Sequence, residues 1–331
     1  MRQNSLKAWI LAARPKTLAG AAAPPLVGIA IGWIALCCGA SAAANCLKWL
    51  PAALLCLLFA VVLQIDANFI NDYFDYKKGA DSVGRLGPER ACTKGWITPR
   101  AMKRGIFITT LLGCLVGAPL ICYGGWGMLM VGAACVVGAF IYTTWLSYKG
   151  LGDFMVVLFF GIVPVLFTYH VIVWPSAEAL GFSRYLIWGA VALLCGFCVG
   201  FIVDNLLIIN NYRDRDIDRE NNKKTLVVRL GAKSAEWFYL LNGVFATLGA
   251  MVAGSWCRKL SFIGSSAPTT IPFYLLIPLL FLPLLFTTHK KMVEINHGKE
   301  LNVLLGKTAR NIIAYCLILI ATLIGASGLV W

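Results

Sequence analysis

Charge is scarce in this chain, and acidic charge scarcest: 13% of its 331 residues are charged, and only 15 are Asp or Glu. An ordinary soluble domain carries about 25% charged residues, so a water-soluble fold is excluded. Histidine is nearly absent too. The only three, His170, His289 and His297, form no sequence cluster, which leaves a histidine general base without support. Strict polar and apolar alternation is missing, and with it the signature of a membrane β-barrel. There is no low-complexity tract and no segment polar enough for a separate soluble module, so nucleic acid is not an expected partner. The 12 cysteines lie mostly inside apolar runs. The one C-x-x-C, Cys195 and Cys198, has no second ligand pair nearby and reads as helix packing rather than a metal site.

What fills the chain instead is hydrocarbon: 59% of residues are hydrophobic and the mean hydropathy is +0.76. Nine apolar runs are long enough to cross a bilayer core of about 30 Å, at roughly 17–38, 47–71, 101–122, 125–142, 151–174, 184–210, 235–254, 269–288 and 311–330. The fold expected is all-α, a polytopic membrane protein of nine helices around a central cavity, with residues 1–331 as one domain. The first run, about 22 residues, exceeds a signal-peptide core and reads as a retained helix. Lys and Arg collect in cytoplasmic loops. Placing the N-terminus in the cytoplasm puts 25 of the 29 basic residues on that side and leaves Lys48, Arg184, Arg258 and Lys259 on the other. The topology expected is N-in and C-out. The formal charge of +14 then makes a one-sided positive face suited to membrane lipids and anionic substrates.

Two acidic stretches break this pattern. NDYFDYKKGAD runs from Asn71 to Asp81 and NNYRDRDID from Asn210 to Asp218, each closing an even-numbered span. Both open Asn-[Asp/Asn]-Tyr-x-Asp, and 139 residues separate Asp75 from Asp214, the mark of a pseudo-repeat with a site between its halves. On a helix Gln64, Asn68, Asn71 and Asp75 share a stripe about 60° wide, and Asp204, Asn211, Asp214 and Asp218 one of about 80°. Solvated helix ends would explain the acids alone. They would not explain amides continuing one to three turns into hydrocarbon, where unsatisfied polar groups are costly. Carboxylates at this spacing are hard oxygen ligands for Mg²⁺, and Lys77, Lys78, Arg85, Arg90, Arg213, Arg215, Lys223 and Lys224 interleave phosphate-binding donors. Together they suit a metal-bridged diphosphate. So much hydrocarbon around the site suggests that the diphosphate carries a lipophilic group, as in a polyprenyl diphosphate.

These residues resemble the UbiA-type intramembrane prenyltransferases. Their first signature is met by Asn71, Asp75 and Asp81, their second by Asp214 and Asp218. Within them the chain is similar to the 1,4-dihydroxy-2-naphthoate polyprenyltransferases through ARPKTL at 13–18, NDYFDYKKGAD, RLGPER at 85–90, LSYKGLGD at 146–153, FFG at 159–161, NNYRD and KKTLVVRLG at 223–231. The resemblance implies an inner-membrane enzyme of menaquinone biosynthesis with its site facing the cytoplasm. It would join a polyprenyl chain to 1,4-dihydroxy-2-naphthoate and release the carboxylate. Asn71, Asp72, Asp75, Asp81, Asp214 and Asp218 would then hold Mg²⁺, with Asn71, Asp75, Asp214 and Asp218 catalytic. Arg90, Lys223 and Lys224 would meet phosphate, with Asn68 and Asn211 beside them. Tyr142 and Tyr148 would line the acceptor pocket, and Arg14 or Lys149 would pair with its carboxylate. Asp66, off the stripe, and Asp204, about 15 Å deeper than Asp214, keep open roles. A different aromatic acceptor (4-hydroxybenzoate, a haem or chlorophyll precursor) or a cation-coupled transporter are the alternatives. The second predicts mid-bilayer acids on several spans.

Overall fold

The computed structural model describes residues 2–38, 48–79, 86–263 and 272–329. Asp81 and Arg85 lie outside them. The described chain is helical, without β-strand, and holds nine helices or helix runs long and apolar enough to span a membrane. This is an integral membrane protein.

A short α1 (Leu6–Ala13) is capped by Ser5, whose hydroxyl accepts from the Ala8 amide at 3.4 Å. Arg14, in the left-handed region at φ 52°, ends α1 and turns the chain into α2 (Pro15–Cys37), which opens on a proline. Next come α3 (Leu50–Lys78), α4 (Pro99–Gly117), α5 (Leu120–Gly124) and α6 (Gly127–Thr144). The fifth span is built of α7 (Gly152–Val157), a π-helical turn at Leu158–Ile162 and α8 (Val163–Val173). After α9 (Ala177–Leu180) comes the longest helix, α10 (Phe182–Glu220), then α11 (Leu226–Leu230), α12 (Ala232–Ser261), α13 (Leu282–Ile295) and α14 (Asn302–Ser327).

Two helices run further than their apolar runs. α3 continues seven residues past 71 to Lys78, where Gly79 at φ 65° stops it, and α10 continues past 210 to Glu220. Asp72 and Asp75 of the first stretch and Asp214, Asp216 and Asp218 of the second are therefore helical. The segment 289–310, expected outside the membrane, is largely the end of α13 and the start of α14.

Helix α10 is the centre of the bundle, packing on α12, α14, α7, α8 and the π turn, while α2 is wedged between α8, α14 and α3. Several buried polar groups at membrane depth find partners in the chain. Asp66 accepts from Thr109 Oγ1 at 2.5 Å and Thr110 Oγ1 at 2.8 Å, tying α3 to α4. Asp204 accepts from Asn242 Nδ2 at 3.1 Å, and Asn205 donates to the Tyr239 carbonyl at 3.1 Å, tying α10 to α12. Large side chains such as Phe107, Leu115, Met130, Phe245 and Leu280 face outward, as lipid contact requires.

A smaller apolar cluster holds the site in place. Ala8 and Ala12 of α1, Phe69 and Ile70 of α3, Met102 and Ile106 of α4, and Ala91, Cys92 and Ile97 of the connecting segment pack together. Between α2, α3, α4, α6, α8 and α10 lies a cavity of about 750 Å³. Its wall is almost entirely apolar, and its polar lining includes Thr17, Gln64, Asn71, Tyr142 and Asn210.

Candidate functional site

The last two turns of α3 are anchored from both sides. Asn68 is buried and its amide donates to the Ala13 carbonyl at 2.9 Å and to Thr17 Oγ1 at 3.2 Å, while its oxygen receives Gln64 Nε2 at 3.3 Å. Asn68, expected at substrate, thus fastens α3 to the α1–α2 turn. Asn71 lines the cavity, and its side-chain oxygen accepts from Thr143 Oγ1 at 2.6 Å.

Asp72 is buried, and its two oxygens accept the backbone amides of Ala91, at 2.8 Å, and Cys92, at 2.9 Å. Expected among the metal ligands, it is a brace for the segment before α4. That brace sets Arg90, whose guanidinium donates to the Asp75 carboxylate. Lys78, one turn on, donates to the Thr144 carbonyl at 2.8 Å and sits 3.9 Å from the Tyr148 ring centroid.

The end of α10 is built alike. Arg213 grips the neighbouring Asp214 with two hydrogen bonds, Nε to Oδ1 at 2.8 Å and Nη2 to Oδ2 at 2.6 Å, and gives Nη1 to Asn302 Oδ1 at 2.8 Å. Asn302 donates in turn to the Leu86 carbonyl at 2.8 Å, so the start of α14 ties the end of α10 to the segment before α4. Asp218 receives the Lys223 ammonium at 3.3 Å on both oxygens. Arg215 turns the other way. It is buried on the Tyr212 and Asn296 carbonyls at 2.8 and 2.7 Å and has a structural place.

One turn joins these ends. Its 3-10 helix, Leu146–Lys149, is held when the Lys224 amide donates to the Tyr148 carbonyl at 3.1 Å and Arg229 Nη2 donates to the Lys149 carbonyl at 2.8 Å. Tyr148 is met from the α3 end by the Lys78 ammonium over its ring and from the α10 side by the Lys224 amide on its carbonyl, so the two acidic motifs flank one mouth. Burial, with the Asp75 and Asp218 charges adding, pushes its hydroxyl up to about 12, leaving it a donor throughout the neutral range. Lys78 is within charge reach of both Asp75 and Lys223, the same connection from the cationic side.

Tyr142 lines the large cavity and also a small polar pocket of about 30 Å³ shared with Ser147, Asp153, Asn211 and Lys223. Asp153 and Asp204 interact across this region, and each keeps one buried oxygen without a hydrogen-bond partner. Lys149 is exposed, its ammonium 3.8 Å from the Trp145 ring centroid. Arg14 lies at the α1–α2 turn beside the Ala13 carbonyl that Asn68 binds.

Among the described residues no three acidic, His or Cys side chains are already drawn together tightly enough to close on a metal. Asp75, Asp214 and Asp218 are each paired with a cation of the chain. The donor set nevertheless fits Mg²⁺, since three carboxylates and the Asn71 amide are hard oxygens. The charge balance fits as well. With acids and bases already paired, a divalent cation and a diphosphate entering together keep the mouth near neutrality, whereas either alone leaves an excess charge in a low-dielectric setting.

Sequence reading missed Thr143 and Asn302, which lie outside the acidic motifs and join the site through tertiary contact. Asp153 stood in a quoted motif without a role.

The model of the UbiA prenyltransferase family matches residues 31–300. The 1,4-dihydroxy-2-naphthoate octaprenyltransferase of Escherichia coli (strain K12) is 35% identical over 247 residues, covering 70% of this chain and 71% of the relative. The protein of that name from Mycobacterium leprae (strain TN) is 34% identical over 260 residues, covering 76% of this chain and 80% of its own. A solved structure from work on digeranylgeranylglyceryl phosphate synthase superposes with a TM-score of 0.52 at 19% identity, over 98% of this chain and 99% of that one. That likeness shows the fold.

Proposed function

The chain belongs to the UbiA prenyltransferase family, and from that premise we propose that it transfers a polyprenyl group from polyprenyl diphosphate to 1,4-dihydroxy-2-naphthoate with loss of carbon dioxide, giving demethylmenaquinol. The observation that carries this reading is one mouth flanked by two acidic helix ends, whose Asn71 and Asn210 line an apolar cavity of about 750 Å³. A charged head and a greasy tail have adjoining places. The names of relatives about a third identical supply the acceptor.

The residues divide the work. Asp75, Asp214 and Asp218, with Asn71, would hold Mg²⁺, which when bound supplies positive charge to the departing diphosphate. Arg90, Arg213 and Lys223, released from their carboxylates, turn to phosphate oxygens. As the allylic C–O bond breaks, its electron pair leaves with diphosphate, and these cations stabilise the charge that develops. The cavity wall keeps water from the carbon left electron-poor. A ring carbon of the acceptor, made electron-rich by two hydroxyls, forms the new C–C bond, and loss of carbon dioxide returns the ring to aromaticity. Tyr142, which lines the cavity and the small polar pocket, and Tyr148, on the turn between the two acidic helix ends, are suited to orient the acceptor.

The test is turnover by purified protein with Mg²⁺, octaprenyl diphosphate and a panel of aromatic acceptors. The expected product is a decarboxylated, prenylated naphthoquinol, with 4-hydroxybenzoate used poorly. A preference for 4-hydroxybenzoate would overturn the acceptor assignment, and absence of any prenylated product would overturn the reaction.

A further inference from the structure

Helices α13 and α14 run in opposite directions, α13 ending and α14 beginning at the mouth, where Asn296 bonds Arg215 and Asn302 bonds Arg213. Deeper in, Asn311 of α14 donates to Thr288 Oγ1 of α13 at 3.0 Å and to the Leu284 carbonyl at 3.3 Å, which fixes their register. One turn from that contact toward the mouth stand Lys291, three residues after Thr288, and Lys307, four before Asn311. The two lysines are therefore neighbours across the helix pair. Arg310, three residues after Lys307, adds a third cation on the same side of α14.

No acid of these helices answers them. Helix α14 carries none, and Glu294, the one on α13, pairs with Lys290 at 3.8 Å. Among the described residues no ion pair reaches Lys291, Lys307 or Arg310. Like charges this close repel, so an anion from outside the chain lowers their energy. Free phosphate would do that, but the surface beyond suits an anion with tails. Leu284 lies seven residues before Lys291 and Leu317 seven after Arg310, two turns along the same stripes and about 10 Å further from the mouth. Both are exposed, by 37% and 56%. The cations stand just past the apolar runs that end at 288 and begin at 311, the depth of phospholipid head groups.

We propose that this α13–α14 face binds an anionic phospholipid, with its phosphate on Lys291, Lys307 and Arg310 and its acyl chains along Leu284 and Leu317. A zwitterionic lipid brings the same tails, but its own cation opposes the three already there.

The experiment follows the melting temperature of the full chain in detergent with added phosphatidylglycerol, phosphatidylcholine or inorganic phosphate. Wild type is compared with a variant carrying Lys291→Gln, Lys307→Gln and Arg310→Gln, and with one carrying Arg100→Gln, Lys103→Gln and Arg104→Gln on α4, which removes equal charge elsewhere at the mouth end. Expected is a gain of about 3 °C or more from phosphatidylglycerol over phosphatidylcholine in wild type and in the α4 variant, and less than half that gain in the α13–α14 variant. Equal gains from the two lipids in wild type would overturn the site, as would a larger gain kept by the α13–α14 variant or an equal loss in the α4 variant. An equal gain from inorganic phosphate, lost in the same variant, would overturn the lipid. Should the triple variant fail to fold, Lys291→Gln with Lys307→Gln decides: a gain below half of wild type supports the site, and a larger one overturns it.

Discussion

Asp72 and Asp75 lie three residues apart on α3, yet their surroundings assign them different work. Among the described residues Asp75 has Arg90 as its hydrogen-bond partner at the mouth, and a ligand can exchange with it. Asp72 already has a backbone amide on each oxygen and braces the segment before α4. Asp75→Asn should lower turnover by about 10²–10³-fold, as loss of one charge-stabilising group does, with the melting temperature nearly unchanged. Asp72→Ala should instead strand two buried amides and cost about 3 kcal/mol. It should also raise KM for the diphosphate as Arg90 loosens, while the Mg²⁺ concentration for half-activity stays put. A shifted Mg²⁺ requirement in Asp72→Ala would make it a ligand after all. The helical stripe had separated these residues only in part. Periodicity says which face a carboxylate is on, but not that the backbone of residues 91 and 92 comes to meet it. Asn68 makes the same point: it sits on the right stripe, and its amide serves the Ala13 carbonyl and Thr17.

The element that shapes the cavity is the fifth span, where the π turn at Leu158–Ile162 lies almost backbone to backbone on α10. A Cβ added at Gly161 would meet the Gly196 carbonyl and the Gly200 Cα at 2.4 Å, and one at Gly200 would meet the Val157 carbonyl at 2.8 Å. Glycine permits this contact in a membrane, where close packing does the work that water does elsewhere. Gly161→Ala should therefore push the span off α10, costing about 1–3 kcal/mol. It should also displace Phe159 and Phe160 in the cavity wall, seen as a lower melting temperature together with a higher KM for the prenyl donor. A variant as stable as wild type would mean the helices separate freely. The nine spans themselves were legible, because apolar length is what a bilayer demands. Their ends were not, since Asn71–Lys78 and Asn210–Glu220 stay helical after the hydrophobic signal stops. FFG at 159–161 stood among the motifs, but its reason, a glycine against glycines of another helix, exists only in the packed bundle.

For the whole molecule, the balance of charge at the mouth decides how fold and activity depend on metal. Arg90, Arg213 and Lys223 already neutralise Asp75, Asp214 and Asp218, so among the described residues the protein without metal has no cluster of bare carboxylates to drive its helices apart. Nor do those pairs hold the bundle together. The core runs through α10, α12, α2 and α14 on apolar contacts, and the links between helices at depth, Asp66 to Thr109 and Thr110 and Asp204 to Asn242, lie apart from the three mouth pairs. Chelation of divalent ions with EDTA should therefore abolish prenyl transfer while moving the melting temperature by only a degree or two, and added Mg²⁺ should restore full activity without a refolding step. Adding diphosphate without Mg²⁺ should stabilise little, because the bases would have to leave their carboxylates uncompensated. Diphosphate and Mg²⁺ together should raise the melting temperature by mass action. A steep loss of stability on chelation would show the acids unpaired in solution, and would make the metal part of the scaffold rather than something the substrate brings into balance.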